Sequence, residues 1–505
     1  MTLAKLQGIT LSGLSGSLID IEVDVSNGLP SYSLLGLPDA TLSEARERIR
    51  AAILNSGFNW PNKKLTVSLS PAWLPKSGSA FDLPIALAIL MATAQIEEKR
   101  TIGTLFIGEL SLEGGLRPIR GLLPMLISAM HHGFQNVIVP QDSYGEAKIL
   151  KEMNAIALPD LKSVIAYLSG TQIFENPTLI DLKRSERTKD FSEVAGQEEA
   201  KFALGVAAAG CHNILLIGAP GTGKTMLAER LPTILPPLTE SEAIEVAGIH
   251  SIAGKLNPRE AISYEPPFIS PHHSTTIPAL VGGGSNSIKP GACSLAHNGV
   301  LFIDEATECS VGILDALRQP MESGAIGISR ANQSANYPAK FILVLAANPC
   351  PCGKFSGRGR NCECSSHQIR RYLGKLSGPL LDRIDIRIKV EAPTRTELVS
   401  ESKESSEIVR NRVLIARKIA AERFMGENFK TNSQIPPHLL RTRYRAKREA
   451  MSLLNELFDR EVISARGYHR ILRTAWSISD LSGESSPDRS AIERALNLRT
   501  GIDSE

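Results

Sequence analysis

No stretch of this 505-residue sequence is apolar for long enough to cross a bilayer: the longest run, Leu83 to Ile96, falls short of the roughly 20 residues a spanning helix needs. The opening residues, MTLAKLQGITLSG, lack the basic-then-apolar layout of a secretory signal. Both absences point to a soluble, cytoplasmic protein with no membrane partner. Charge of one sign is also scarce. With 56 Lys and Arg against 53 Asp and Glu, the net charge of +3 is too small to announce a nucleic-acid binder, because a footprint on phosphates needs local clustering. Seven cysteines are an odd number for a disulfide framework. Repeats at periods of about 20 to 50 residues and low-complexity tracts are missing too, which excludes a solenoid or a disordered array. What is present, 42% hydrophobic and 22% charged residues, is the composition of an ordinary folded protein of roughly two or three domains.

Residues 1–168 alternate β-rich runs, such as LTVSLS and NVIVP, with helical runs, such as Thr41 to Ser56, and an α/β or α+β domain is expected there. Residues 169–190 are polar and of mixed charge (SGTQIFENPTLIDLKRSERTK), the composition of a linker. Over residues 191–392 the apolar strands NILLIG, GVLFIDE, KFILVLAAN and RIDIRIKV alternate with helical segments, the pattern of a parallel sheet with helices on its faces. Residues 393–505 carry no strand pattern, are rich in Arg and Lys and break near Ser433 to Pro437; a small helical lid is predicted. The fold class is therefore α/β with an α+β domain in front.

The strand NILLI runs into Gly218-Ala219-Pro220-Gly221-Thr222-Gly223-Lys224-Thr225 and then into the helical string MLAERL. This is the P-loop pattern in its strand-to-helix context: backbone N–H groups of the Gly-rich turn face phosphates, Lys224 reaches the terminal phosphates of ATP, and Thr225 can hold Mg²⁺. About 80 residues on, the apolar strand Val300 to Ile303 delivers Asp304 and Glu305 at its carboxyl end, the edge where open α/β sheets bind ligands. Asp304 suits the Mg²⁺ shell and Glu305 suits activation of an attacking water. A third strand, Phe341 to Ala347, ends in Asn348, whose amide could orient that water or touch the γ-phosphate, or simply form the turn before Pro349. Arg383 and Arg466 remain to neutralise charge developing on the phosphates, or to form surface ion pairs.

Four of the seven cysteines crowd into fifteen residues as Cys350-Pro-Cys352 and Cys362-Glu-Cys364. Four thiolates are the number a closed tetrahedral Zn²⁺ site needs, with His367 as a substitute ligand, and the absence of an open position argues for a structural ion. Cys211, Cys293 and Cys309 sit in apolar contexts and are expected to be buried thiols. A basic run follows from His367 to Lys375 with Tyr372 within it, suited to phosphates with one ring for stacking, or to a solvated helix face. Adjacent His272 and His273 are expected to be hydrogen-bonding loop residues, not metal ligands.

Taken in order, the strings FSEVAGQEEAKFAL, GAPGTGKTMLAERLPTILPPL, PFISPHHSTTIPALVGGG, PGACSLAHNGVLFIDEA, RQPMESGAIGISRA, NPCPCG, RRYLGKLSGPLLDRIDI and ISARGYHRILRTA resemble the magnesium-chelatase-like AAA+ ATPases of the ComM/YifB family over nearly the whole chain. The resemblance implies a Lon-protease-like domain at 1–168, and an AAA+ core at 191–392 with a helix-2 insert, a Cys-rich insertion (349–367) and a pre-sensor hairpin between Glu322 and Lys340. It also implies a helical lid at 393–505. It makes Asn348 the sensor-1 residue, Arg383 an arginine finger acting in trans, and Arg466 the sensor-2 arginine of the lid. A ring, hexameric in the family, is implied, acting as a DNA helicase that promotes branch migration in recombination or natural transformation on single-stranded, forked or branched DNA. The alternative is a chelatase-type remodeller acting on a protein partner. Arg330 and Lys340 of the hairpin are candidate channel contacts.

Two departures accompany the resemblance. Leu74-Pro75-Lys76-Ser77-Gly78-Ser79 is similar to the segment around the Lon nucleophile, but Pro118 to Met125 places Met125 where the Lon lysine stands. A thioether cannot act as a base, so a catalytically inactive protease fold is expected. In the insert, Ile269 follows Phe268 where the family pattern leads one to expect Arg.

Overall fold

The computed structural model describes residues 3–76, 78–98, 101–178, 189–257, 262–284, 288–330, 333–355, 362–399 and 404–500. Ser77, Gly357, Gly359 and residues 179–188 of the expected linker lie outside the described residues.

The amino-terminal part is built on β1 (Leu3–Ser12), β2 (Ser15–Ser26), β3 (Ser31–Leu35) and β4 (Lys64–Ser70), in the order β1-β2-β4-β3 with only β3 and β4 parallel. Alternate residues of β2 and β4, Ile19, Ile21, Val23, Leu65, Val67 and Leu69, face one core, as a two-residue period requires. The apolar run expected to be too short for a membrane is the helix Asp82–Ala92, buried on every side. Among the described residues no helix is long and apolar enough to cross a membrane. A second small sheet orders β5 (Thr104–Phe106), β8 (Asn136–Pro140) and β9 (Asn154–Leu158) in parallel, and β6 (Glu109–Leu110) pairs with β7 (Leu116–Arg117).

The central sheet contains β10 (Ile214–Ile217), β11 (Phe268–Ile269), β14 (Gly299–Ile303), β17 (Phe341–Ala347) and β18 (Ile386–Lys389), all parallel and ordered β11-β14-β17-β10-β18. Its strands are apolar on both faces because both are covered. Val300, Phe302, Ile342, Val344 and Leu216 turn to one core, while Leu301, Ile303, Leu343, Leu345 and Leu215 turn to another. Two short ribbons attach to this sheet, β12 (Gly282–Gly283) with β13 (Lys289–Pro290), and the hairpin β15 (Ala325–Arg330) with β16 (Gln333–Pro338). The hairpin touches the amino-terminal sheet, where the Ser12 hydroxyl donates to the Ser334 carbonyl at 2.7 Å.

Beyond residue 392 the described residues form helices, chiefly Ser406–Arg423, Arg448–Asp459, Ala465–Ser482 and Arg489–Thr500. Val413, Trp476 and Leu498 share one core with Leu204, Ile214 and Ile386 of the α/β part. A buried polar seam crosses the same boundary. His212 lies 3.6 Å from Asp385 through Nδ1 and 2.8 Å from the Ser477 hydroxyl through Nε2, and Arg470 pairs with Asp385.

Candidate functional site

Because β10 lies between β17 and β18, the loops leaving β10, β14 and β17 meet at one carboxyl edge of the sheet. The loop after β10 spans Gly218 to Gly223 and opens directly into the helix Lys224–Ile234. Gly223 caps that helix in the left-handed region at φ 88°, a conformation a side chain would strain. The loop is tied to its neighbours: the Gly218 N–H donates to the Ala347 carbonyl at 3.2 Å, and Gln197 donates its amide to the Thr222 carbonyl at 2.6 Å.

Lys224 is buried, and its Nζ donates to the Gly218 carbonyl at 2.7 Å, the Ala219 carbonyl at 2.9 Å and Asn348 Oδ1 at 3.2 Å. Burial lowers its pKa from the ordinary lysine range, while Asp304 and Glu305 pull the other way. An ammonium folded back on its own loop's carbonyls is a cation to which phosphate oxygens would offer stronger, charged partners. The Thr225 hydroxyl donates to Asp304 Oδ2 at 2.8 Å, and Asp304 Oδ1 accepts the Glu305 N–H at 2.9 Å. Thr225 and Asp304 thus present two hard oxygens side by side, a donor set that fits Mg²⁺. Lys224, Thr225, Asp304, Glu305 and Asn348, found in three separate strings, stand in one place.

Glu305 has a feature the strings do not show. Its backbone is left-handed at φ 48°, rare for a residue with a side chain. Its carboxylate lies 3.3 Å from Nδ1 of His273, in the segment that follows β11. His272 behaves as the loop residue expected, meeting the Ser274 hydroxyl at 2.8 Å, but His273 reaches the nucleotide site. No local signal marks that contact, because the two residues are 32 positions apart and meet only when β11 pairs with β14. Gln197, which steadies the loop from behind, is likewise invisible in spacing. Ile269, where Arg was expected, pairs with Leu301 and packs against the core of the sheet.

The two arginines stand elsewhere. Arg383 precedes β18 at the amino-terminal edge of the sheet, where the Asp385 N–H donates to the Asn213 carbonyl just before β10 begins. Its guanidinium pairs with Glu322 and donates to the Pro379 carbonyl at 2.6 Å. Arg466 opens the helix Ala465–Ser482 and donates to Asp382 at 3.0 Å, with its side chain 70% exposed. The structure therefore places Arg383 and Arg466 together and parts both from Lys224 of the same chain by the length of β10, about 10 Å of strand.

The four cysteine sulfurs Cys350, Cys352, Cys362 and Cys364 lie within 4.8 Å of one another, with Cys350 to Cys352 at 3.3 Å and Cys352 to Cys362 at 3.6 Å. Tetrahedral Zn–S bonds of about 2.3 Å set sulfurs about 3.8 Å apart, so the donor set fits the ion. The Lys354 backbone N–H and the Cys350 thiol hold the Cys352 thiol below its ordinary pKa, whereas burial pushes Cys362 up. His367 lies on the helix Ser366–Leu373 and is not one of the converging ligands. Of the two expectations for the basic run, the helix face is the one formed, and Tyr372 is buried, so its ring is not free to stack on a base. Of the remaining thiols, Cys293 and Cys309 are buried as expected; Cys211 is only partly so and accepts from Arg417 at 2.9 Å.

A further cleft of about 710 Å³ lies between the amino-terminal part and the ribbons of the α/β part, lined by Ser79, Glu109, Met125, Arg120, Lys289 and Tyr337 among others. The Ser79 hydroxyl donates to Glu109, and the Lys76 ammonium donates to the Pro71 carbonyl.

A phosphate loop after β10 of the parallel β11-β14-β17-β10-β18 sheet, with a polar amide ending the adjacent β17 and an acidic pair ending β14 beyond it, defines an ATPase of the AAA+ class. Family profiles described as "Magnesium chelatase, subunit ChlI", "Subunit ChlI of Mg-chelatase" and "Magnesium chelatase, subunit ChlI C-terminal" match residues 190–398, 21–143 and 403–499. The chain is 44% identical to an uncharacterized protein of Mycobacterium tuberculosis over 99% of both chains. It is 41% identical to the competence protein ComM of Haemophilus influenzae, covering 99% of this chain and 98% of that protein, and 38% identical to YifB of Escherichia coli, covering 99% and 97%. The chain belongs to the ComM/YifB family of magnesium-chelatase-like AAA+ proteins. The family implies ATP and Mg²⁺ at this site.

Proposed function

We propose that the protein is a ring-forming, ATP-driven motor that works on DNA, as a helicase that promotes branch migration of joints during recombination or natural transformation. Lys224 and the N–H groups of Gly218 to Gly223 bind the phosphates, and Thr225 with Asp304 holds Mg²⁺, whose charge neutralises the β and γ oxygens. Glu305 takes the proton of the attacking water, and Asn348 orients that water or the γ-phosphate. His273 is the contact that the Glu305 carboxylate gives up to do so.

The observation that carries the ring is the separation of Arg383 and Arg466 from their own chain's phosphate loop. Placed together at the opposite sheet edge, they are offered to a nucleotide held by a neighbouring subunit. Arg466, the sensor-2 arginine of the lid by resemblance, acts in this reading as a second residue in trans. A closed ring, six subunits in this reading, gives every loop such a neighbour.

DNA as the partner is supported by the near full-length likeness to a competence protein and by the exposed Arg330 and Lys340 on the hairpin. The amino-terminal domain serves assembly or DNA handling, since Met125 faces the Ser79 cleft where a lysine base would be needed. The four-cysteine cluster holds a structural Zn²⁺. The second reading, a remodeller of a protein partner, is favoured by the three chelatase-subunit profiles. ATPase assays with single-stranded, forked and four-way DNA, with unwinding followed in parallel and Glu305→Gln as control, decide between them. Stimulation and strand movement are expected on branched DNA; hydrolysis indifferent to every DNA would refute the DNA motor and favour the protein partner.

A further inference from the structure

The cysteine cluster is not a remote appendage. β17 ends at Ala347, Asn348 accepts from the Lys224 ammonium at 3.2 Å, and two residues later Cys350 is fully buried. The chain then turns through Cys352 to Gly353, whose N–H donates to the Cys350 carbonyl at 3.0 Å. Gly353 has φ +73°, and a Cβ added there would stand 2.6 Å from Cδ of Pro220, the third residue of the phosphate loop. Thus the turn that carries two of the four thiols is seated on the phosphate loop on one side. On the other it continues the strand that supplies the amide partner of Lys224. A close approach without a side chain makes this contact rigid when the turn is rigid and slack when it is not.

We propose that the metal-loaded four-cysteine centre is a buttress for the nucleotide site: it fixes the Cys350–Gly353 turn, which in turn positions Pro220 and Asn348 for phosphate binding, so that ATP affinity depends on the state of the thiols. This inference rests on the zinc and ATP readings above, and adds that the two sites are energetically coupled. Four ligands drawn from both ends of the 350–364 segment close a loop around the ion, and without the ion the turn must be ordered anew each time nucleotide binds. Outer-shell support at metal sites is worth about tenfold or more in metal affinity or activity, and an effect of the same order on ATP affinity is expected here. Coupling is also reciprocal: if zinc tightens ATP by a given factor, ATP must tighten zinc by the same factor. Gly353 and Pro220 act here as positioning residues, since neither offers a ligand atom to the metal.

The test uses the full chain purified in reductant. Zinc per chain is measured first, then the affinity for a fluorescent ATP analogue with Mg²⁺ before and after removal of zinc with a zinc-selective chelator, and again after reloading. About one zinc per chain, an affinity about tenfold weaker after stripping and recovery on reloading are expected. Gly353→Ala keeps all four thiols, so it should retain zinc yet bind the analogue more weakly, because its Cβ drives into Pro220. Should stripping unfold the chain, zinc transfer from the intact protein to a coloured chelator is followed with and without a non-hydrolysable ATP analogue, which should hold the metal back by the same factor. A protein that takes up no zinc overturns the proposal at its metal, and one that holds zinc but no nucleotide overturns it at the ATP site. Zinc and nucleotide both bound, with affinities that ignore one another and a Gly353→Ala variant indistinguishable from the parent, would overturn the coupling alone.

Discussion

At the scale of single residues, the proposed mechanism divides the site into groups that grip and groups that react. Lys224 spends its three hydrogens on Gly218, Ala219 and Asn348, all of which it can exchange for phosphate oxygens. Lys224→Ala is expected to weaken ATP binding about a hundredfold or more, from the loss of two charge-assisted hydrogen bonds, and equilibrium titration with a fluorescent analogue measures it. Glu305→Gln keeps the shape but not the base, so affinity should persist while single-turnover hydrolysis falls by about a hundredfold or more. His273→Ala should do the reverse of damage: freed from a contact worth about 1 kcal/mol, Glu305 should raise basal kcat about fivefold, with KM for ATP unchanged. A lowered basal kcat would show instead that His273 holds the carboxylate in its working position. Lys224, Asp304 and Glu305 were legible in the sequence because each stands inside a contiguous string whose chemistry is local. His273 was not, since its partner is reached only through the pairing of two strands.

At the scale of elements, the apolar runs foretold β10, β14, β17 and β18 because a doubly covered parallel strand has no polar face to blur it. For the run from His367 to Lys375, charge alone could not choose between a cationic loop and a solvated helix face. Ser365 and Gln368 form a capping box and Tyr372 turns inward, so the segment closes as a helix. The seam between β18 and the helix Ala465–Ser482 was equally hidden, being assembled from His212, Asp385 and Arg470. Burial by itself would raise the pKa of Asp385, but Arg470 and His212 hold it well below the ordinary carboxylate range. A carboxylate depressed in the folded state binds fewer protons than in the unfolded state, so its contribution is complete above its ordinary pKa of 3.8 and is lost as pH falls from there toward the folded value. Asp385→Asn should cost about 3–5 kcal/mol at neutral pH by leaving Arg470 without its carboxylate partner. It should also flatten the acid limb of the stability curve below about pH 4. Denaturant melts across that range measure both, and an unchanged acid limb would remove Asp385 from the account.

At the scale of the whole molecule, the phosphate loop and the two arginines belong to different edges of one sheet, which is the structural reason for proposing an assembly. The phosphate loop faces one way; Arg383 and Arg466, joined through the Asp382 to Asp385 segment, face the other. The sequence named both arginines through family likeness but could not say which edge Arg466 occupies, because that depends on how the carboxy-terminal helices dock on β18. In the proposed ring, this docking would let the lid helix and the Arg383 segment pass what one subunit does with its nucleotide to its neighbour. The measurement that bears most directly on this is subunit mixing. Lys224→Ala chains lack the grip but keep both arginines, while Arg383→Ala and Arg466→Ala chains keep the grip; each homogeneous protein should be nearly inactive, with Arg383→Ala down about a thousandfold or more. Mixing Lys224→Ala with Arg383→Ala, and separately with Arg466→Ala, should restore ATP hydrolysis in both cases, because intact loops then meet intact arginines across subunit boundaries. Hydrolysis that stays at the level of the separate variants in both mixtures, with mixed assembly verified, would contradict a shared site.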